Sequence, residues 1–191
     1  MELANAIRKR RTIRKFKQLP VPKALIRKLI DAARMAPSAG NNQKLRYVAV
    51  TEQNTVLSVF HETFWAAQVK PRRTPVPEVT APMAFVAVMA PADSGEIAHV
   101  DAGAAIENIL LTAIDNDLGC CWIGAFNKEK VDNILEVPRG RKTLYLVALG
   151  YPHESPIMEN IEESGSVKYY LDENDVLHVP KYSVEAITAW K

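Results

Sequence analysis

A single domain that mixes helices with apolar strands is what this sequence predicts, and three observations predict it. Residues 22–35 place Leu25, Ile26, Leu29, Ile30 and Ala33 at helical spacing, with charged residues between them. Met83–Met89 and Thr143–Leu149 are continuous apolar runs of the length expected for buried strands. Residues 97–117 form a longer segment, apolar on nearly all sides, that reads as a buried helix. With 191 residues, 48% of them apolar and 24% charged, the chain can bury one full core.

In chain order, residues 2–9 suit a short helix, and Arg10-Arg11-Thr12-Ile13-Arg14-Lys15-Phe16 follows. If this stretch is extended, Arg10, Thr12 and Arg14 project from one side and make a fork for phosphate or another planar anion. The alternative is an exposed, solvated basic turn. The net charge is only +2, but Glu2 is the sole acid before Asp31, so the positive surplus sits at the N-terminus. That favours a localised basic site over a nucleic-acid surface.

The helix at 22–35 must stop at Ala36-Pro37, and Ser38-Ala39-Gly40-Asn41-Asn42-Gln43 then supplies six small or amide residues. This reads as a recognition loop or as an ordinary surface loop. Residues 45–50 read as a strand, 53–67 as a helix, and 68–82 as a proline-rich connection that includes Arg72 and Arg73. In the apolar helix at 97–117, alanines and a glycine permit close backbone approach, and Asn108 in its middle requires a hydrogen-bond partner. Such a helix suits either a monomer's centre or the boundary of a homodimer. Leu118-Gly119 closes it, Cys120–Asn127 runs from a strand into a turn, and 128–135 is a helix. From Glu154 to Asp175 the tail is acidic and weakly patterned, before a short helix near 184–190.

Much chemistry is disfavoured. The adjacent Cys120 and Cys121 offer neither a disulfide framework nor zinc spacing and read as thiols of a buried strand. His61, His99, His153 and His178 are scattered, so no metal site is expected. Gly119 and Gly124 are followed by Ala125-Phe126 where a phosphate loop needs Lys-Ser/Thr, and no Gly-x-Gly-x-x-Gly or Gly-x-Ser-x-Gly is present. Anion-binding side chains without an acid, base or metal constellation point to chemistry that resides in a bound cofactor. The run Met83–Ala90 is too short to cross a bilayer and the N-terminus, basic from Arg8, lacks a secretion signal's apolar run, so a cytoplasmic protein is expected.

Four segments together resemble the nitroreductase family of FMN-dependent oxidoreductases: Arg10–Phe16, Ala36–Gln43, Gly119–Phe126 and Ala148–Pro152, joined by a final Val179-Pro180-Lys181. The ordered set is specific where no single piece is. The resemblance implies an α+β fold, a three-layer α/β/α arrangement with a mostly antiparallel sheet flanked by helices. It also implies an intertwined homodimer, with a core at about 2–152 and a C-terminal extension at 153–191. It implies that Arg10, Arg11, Thr12 and Arg14 hold FMN from one subunit and Pro37, Ser38, Ala39, Asn41 and Gln43 from the other. Gly124 and Ala125 would put backbone beside the reactive edge of the ring, and Lys181 would reach the phosphate. NADH or NADPH would be the donor, and a nitroaromatic or quinone the acceptor. The chain departs from the family pattern at Lys44-Leu45, where Pro-Trp is usual, and at Pro156-Ile157-Met158-Glu159, where a basic run is common.

Overall fold

The computed structural model describes residues 1–65 and 74–191. The elements are helix α1 (Leu3–Lys9), strand β1 (Phe16–Lys17), α2 (Lys23–Arg34), β2 (Arg46–Val50), α3 (Gln53–His61), β3 (Ala84–Pro91), α4 (Glu96–Ile114), β4 (Gly119–Ile123), α5 (Lys128–Ile134), β5 (Arg141–Pro152), β6 (Ile157–Ile161), β7 (Tyr170–Leu171), β8 (Leu177–Tyr182) and α6 (Val184–Ile187). β5 is the hub of the main sheet: β3 pairs along one side of it with β2 beyond, while β4 and β1 pair with its other side. Every pairing in this sheet is antiparallel.

Alternation along β3 builds the layers. Ala84, Val86, Val88 and Ala90 point into a core shared with α2 and α4, while Phe85 and Ala87 point into a second core shared with α3 and α5. Because both faces are covered, β3 is a continuous apolar run, as its sequence implies. The outcome is an α+β, three-layer arrangement.

The amphipathic helix appears as α2, with Ile26, Leu29 and Ala33 inward. Asn108 of α4 donates from Nδ2 to the Ala32 carbonyl at 3.0 Å, so its expected partner is an α2 backbone group. The helix expected over 53–67 ends early. Thr63 turns back to donate from its hydroxyl to the Phe60 carbonyl and forms a bridge with Phe126. Residues 66 and 67 of that expectation, with Pro71, Arg72 and Arg73 of the connection, lie outside the described residues.

By length and composition α4 could span a bilayer, yet its Ala98, Ala102, Ala105, Ile106 and Ile109 face is buried on α2 and the sheet. Its other side is left bare. Ile97 and Val100 are 53% and 66% exposed, and Ala104, Leu111 and Ile114 are half-buried on the same stripe.

The tail is more ordered than its composition suggests. β8 pairs in parallel with β6 and antiparallel with β7, forming a three-stranded sheet. His178 on the central strand bridges both neighbours, with Nδ1 2.5 Å from Glu159 of β6 and Nε2 3.2 Å from Asp172 just after β7, while its ring stacks on Tyr170 at 4.7 Å. These carboxylates raise the His178 pKa above its ordinary value, Glu159 most, and His178 lowers that of Glu159. The Asp172 carboxyl is lowered chiefly by the backbone N–H of Val176. The histidine's contribution is therefore complete below its unfolded pKa and is lost as pH rises through the raised folded value. That of the carboxylates is present above their unfolded pKa values and fades as pH falls through the lowered folded ones. Protection of the Tyr170 and Leu171 amides, measured relative to intrinsic exchange, should accordingly fall as pH rises through the raised His178 value in the wild type, and His178→Gln should flatten that fall.

Candidate functional site

The arginine stretch is fastened at both ends of its span. After α1, the Ile13 N–H donates to the Cys120 carbonyl at 2.9 Å, Thr12 bridges Cys120 in parallel, and Ile13 is buried over Gly119. Further on, Glu154 accepts the backbone N–H groups of Arg14 and Lys15, and His153 N–H donates to the Lys15 carbonyl at 2.8 Å. The tail adds a Lys15–Asp175 ion pair at 3.0 Å and sets Arg14 over the Tyr169 ring at 5.6 Å. Glu154 is a residue the sequence reading missed.

The simple alternation expected for Arg10, Thr12 and Arg14 is not what forms. Arg10 and Arg11 line one cleft of about 210 Å³ together with Lys9, Gly119, Cys120 and Glu154, whereas Thr12 and Arg14 do not line it. The reason is that backbone pairing fixes Thr12 beside Cys120 of β4 and the Arg14 guanidinium lies over Tyr169 instead. Arg10 Nε stands 3.5 Å from Glu107 of α4. Arg11 donates to the neutral carbonyls of Arg8, at 2.8 Å, and Arg10. Burial, and then the neighbouring charge of Arg10, lower the Arg11 pKa. A desolvated guanidinium beside a second one is the setting in which an added anion is most stabilising.

The loop after α2 lies elsewhere. Ala39–Asn41 form one turn of 3₁₀ helix, and Gly40, Asn41 and Gln43 all take left-handed φ, at +58°, +53° and +46°. Internal bonds brace it: Gln43 N–H donates to Ser38 Oγ at 3.1 Å, and Asn42 Nδ2 donates to the Ala39 carbonyl at 2.7 Å. Two bonds leave the loop: Ala39 N–H donates to Asp101 Oδ1 of α4 at 3.0 Å, and Arg46 Nη1 of β2 donates to the Gln43 carbonyl at 2.9 Å. Pro37, Ser38, Gln43, Tyr47 and Asp101 line a second cleft of about 130 Å³. Burial raises the Tyr47 pKa.

The two clefts sit toward opposite ends of α4. Asp101 and Ala105 line one, Leu110 and Ile114 the other. Nine residues of helix, about 13 Å, separate Asp101 from Leu110. In one protomer the predicted residues thus fall into separate groups, Arg10 and Arg11 at one cleft and Pro37, Ser38 and Gln43 at the other. Gly124 and Ala125 lie exposed where β4 ends, about 13 Å along the strand from Cys120. The Ala125 carbonyl accepts the Phe64 N–H at 2.9 Å, and a methyl placed on Gly124 would lie 3.5 Å from the Tyr145 ring. Lys181 is exposed on β8, in register with Asn160, and is not among the residues that line the arginine cleft.

The cysteines are unsuited to nucleophilic work. Burial pushes the Cys121 thiol up to about 11 and raises Cys120 further. Among the described residues, no group of three or more His, Cys, Asp or Glu side chains is placed to hold a metal ion.

Comparison with known proteins identifies the family. The profile of the nitroreductase family matches residues 7–151. A protein of Archaeoglobus fulgidus, provisionally named an NADH dehydrogenase/NAD(P)H nitroreductase, is 30% identical over 161 residues, covering 80% of this chain and 87% of its own. The crystal structure of a nitroreductase family protein from Clostridium novyi NT superimposes with a TM-score of 0.67 at 28% identity, over 81% of this chain and 87% of that one. The NADPH:FMN oxidoreductase of Vibrio harveyi, solved with NAD+, shares the fold at a TM-score of 0.67 and 24% identity, over 82% of this chain and 71% of that one. With the profile spanning both the arginine stretch and the end of the β5 strand, the chain belongs to the nitroreductase family.

Proposed function

We propose that the protein is an NAD(P)H-dependent FMN oxidoreductase, acting as a soluble, cytoplasmic homodimer on a small acceptor such as a nitroaromatic or quinone. The observation that carries the reading is the Arg10–Arg11 pair, two partly buried guanidinium groups of which, among the described residues, only Arg10 forms an ion pair, with Glu107 at 3.5 Å. The fit to FMN is good on two counts. Phosphate suits this forked, positive cleft, and the exposed Gly124-Ala125 backbone offers a flat, side-chain-poor surface to a ring. Bound here, FMN would supply hydride transfer at N5, of the ping-pong kind with NADH or NADPH as donor and the small acceptor as oxidant.

The chain's own tasks are binding and orientation. Arg10, Arg11 and Thr12 hold the phosphate and ribityl side, while Gly124 and Ala125 present backbone to the reactive edge. Pro37, Ser38, Ala39, Asn41 and Gln43 close the site from the partner subunit, which accounts for two separated half-sites in one protomer. Arg14 serves the pyrimidine edge, where positive charge favours the reduced ring, once it is released from Tyr169. Lys181 adds its charge to the phosphate from the exposed face of β8. Dimerisation covers the bare stripe of α4.

The test is the visible spectrum of the purified protein before and after anaerobic NADH and then NADPH. A yellow protein that bleaches and recovers on adding a nitroaromatic or quinone supports the proposal. A yellow protein that neither donor bleaches assigns it to a specialised branch of the fold, such as a reductive dehalogenase. A protein that stays colourless with added FMN makes the arginine stretch a site for another anion. Arg10→Ala should raise the FMN Kd about ten- to a hundredfold through loss of a charge-assisted bond, and an unchanged Kd removes Arg10 from the site.

A further inference from the structure

We infer that Asp101 is a positioning residue for the cofactor, one that acts by holding the 38–43 loop in its ligand-ready shape; the inference rests on the function proposed above. Asp101 is 7% exposed on an otherwise apolar helix face, between Ala98 and Ala102 of the core. A carboxylate in that position is costly to bury unless it is bonded, and its described bond is to the Ala39 N–H at 3.0 Å. The loop, for its part, cannot hold itself by propensity. Gln43 lies in the left-handed region at a φ of 46°, which a long-chain L residue seldom adopts unless surrounding structure imposes it, and Asn41, at 53°, is held there at smaller cost.

Of the loop's remaining side-chain bonds, Ser38 with Gln43, Asn42 with Ala39 and Gln43 with Asn41 are internal, and Arg46 of β2 holds only the far end, at the Gln43 carbonyl. Asp101 joins the leading half of the loop to α4. α4 also carries Glu107, 3.5 Å from Arg10, so one helix sets the positions of both half-sites within a protomer. In the proposed dimer the loop of each subunit serves the other's arginine cleft. The Asp101 bond then determines how far a partner's loop stands from the phosphate end of the cofactor.

The experiment pairs a variant that removes the acceptor, Asp101→Ala, with one that removes the donor, Ala39→Pro. Ser38 already has φ −133° and ψ 150°, the extended conformation favoured before proline, and Ala39 opens the 3₁₀ turn, so proline is compatible there. Two readouts are taken on the full chain: amide exchange at residues 40–43 without added FMN, and the FMN Kd by quenching of flavin fluorescence. In D101A both exchange rate and Kd should rise roughly ten- to a hundredfold, the worth of a hydrogen bond to a charged group.

Ala39→Pro should match D101A in Kd, the double variant should add little to either, and Asp101→Asn, which keeps an acceptor oxygen, should recover most of the affinity. A role in general stability alone would make the two losses additive and leave D101N unrescued. If D101A does not fold, A39P against wild type decides the matter. Exchange at 40–43 unchanged in A39P, or FMN affinity unchanged while exchange quickens, overturns the inference. A wild-type chain that takes up no FMN refutes the proposed function instead, and the exchange rates still decide whether Asp101 holds the loop.

Discussion

Lysine at Ala105 should abolish folding, whereas glutamate at Ala104, its neighbour on α4, should give a folded chain that no longer dimerises. Ala105 is 1% exposed and packs within its own protomer in the core shared with α2, so an inserted lysine overpacks Ala33 and the sheet, and its ammonium can be paired only by drawing Asp101, one turn earlier, away from the Ala39 N–H. Overpacking together with a disrupted buried polar group costs several kcal/mol, comparable with the roughly 5–15 kcal/mol that holds a whole domain together. Ala104 is half-buried on the stripe with Ile97, Val100 and Leu111. Glutamate there changes helix propensity by only a few tenths of a kcal/mol in the isolated protomer. In a two-fold dimer it buries a carboxylate twice over. Far-ultraviolet circular dichroism with size exclusion separates the outcomes: A105K insoluble or unfolded, A104E helical, monomeric and flavin-free. A104E that remains a dimer would place the interface elsewhere.

Gly119→Ala should strike the fold and the arginine cleft together. A methyl at that position would lie 2.8 Å from Ile13 Cγ1 and 2.9 Å from both Cβ and Cγ2. Isoleucine is stiff at χ1, and Ile13 cannot withdraw without breaking its bond to Cys120. Overpacking of this kind costs about 1–3 kcal/mol, which for a domain of this size lowers Tm by about 2–4 °C per kcal/mol. FMN affinity should fall as well, because relief of the clash lifts the backbone that carries Arg10 and Arg11. Adding Ile13→Ala should recover part of both losses, since room is made where the methyl enters, and strictly additive losses would refute the clash.

The elements legible in the sequence are those whose periodicity is enforced by burial. α2 has one wet face and one dry face, and β3 is dry on both, so composition alone marks them. β1 has two residues and β7 two, too few for any period to register. β8 was hidden for another reason: Pro180 and Lys181 interrupt its alternation, and its pairing with β6 depends on residues some twenty positions away. The arginine and amide segments stood out as clusters of donors, although which arginines share a cleft was set by Cys120 and Tyr169, which are remote in sequence. Asp101 and Glu107 gave the one usable signal that went unread, as charges within an apolar helix.

The order in which the arginine stretch acquires its fixtures has a consequence for synthesis. Its partners are Cys120 on β4, Pro152 opposite Phe16 on β5, and Glu154 beyond. At a translation rate of about 5–20 residues per second, this stretch waits on the order of ten seconds for the last of them to emerge. Until then it is a basic, unfastened segment, available to any polyanion near the ribosome. Under the proposed function, flavin loading thereby waits for β5 and Glu154, and any release of a truncated product before β5 yields a polypeptide that has made its arginines but has nothing to set them against.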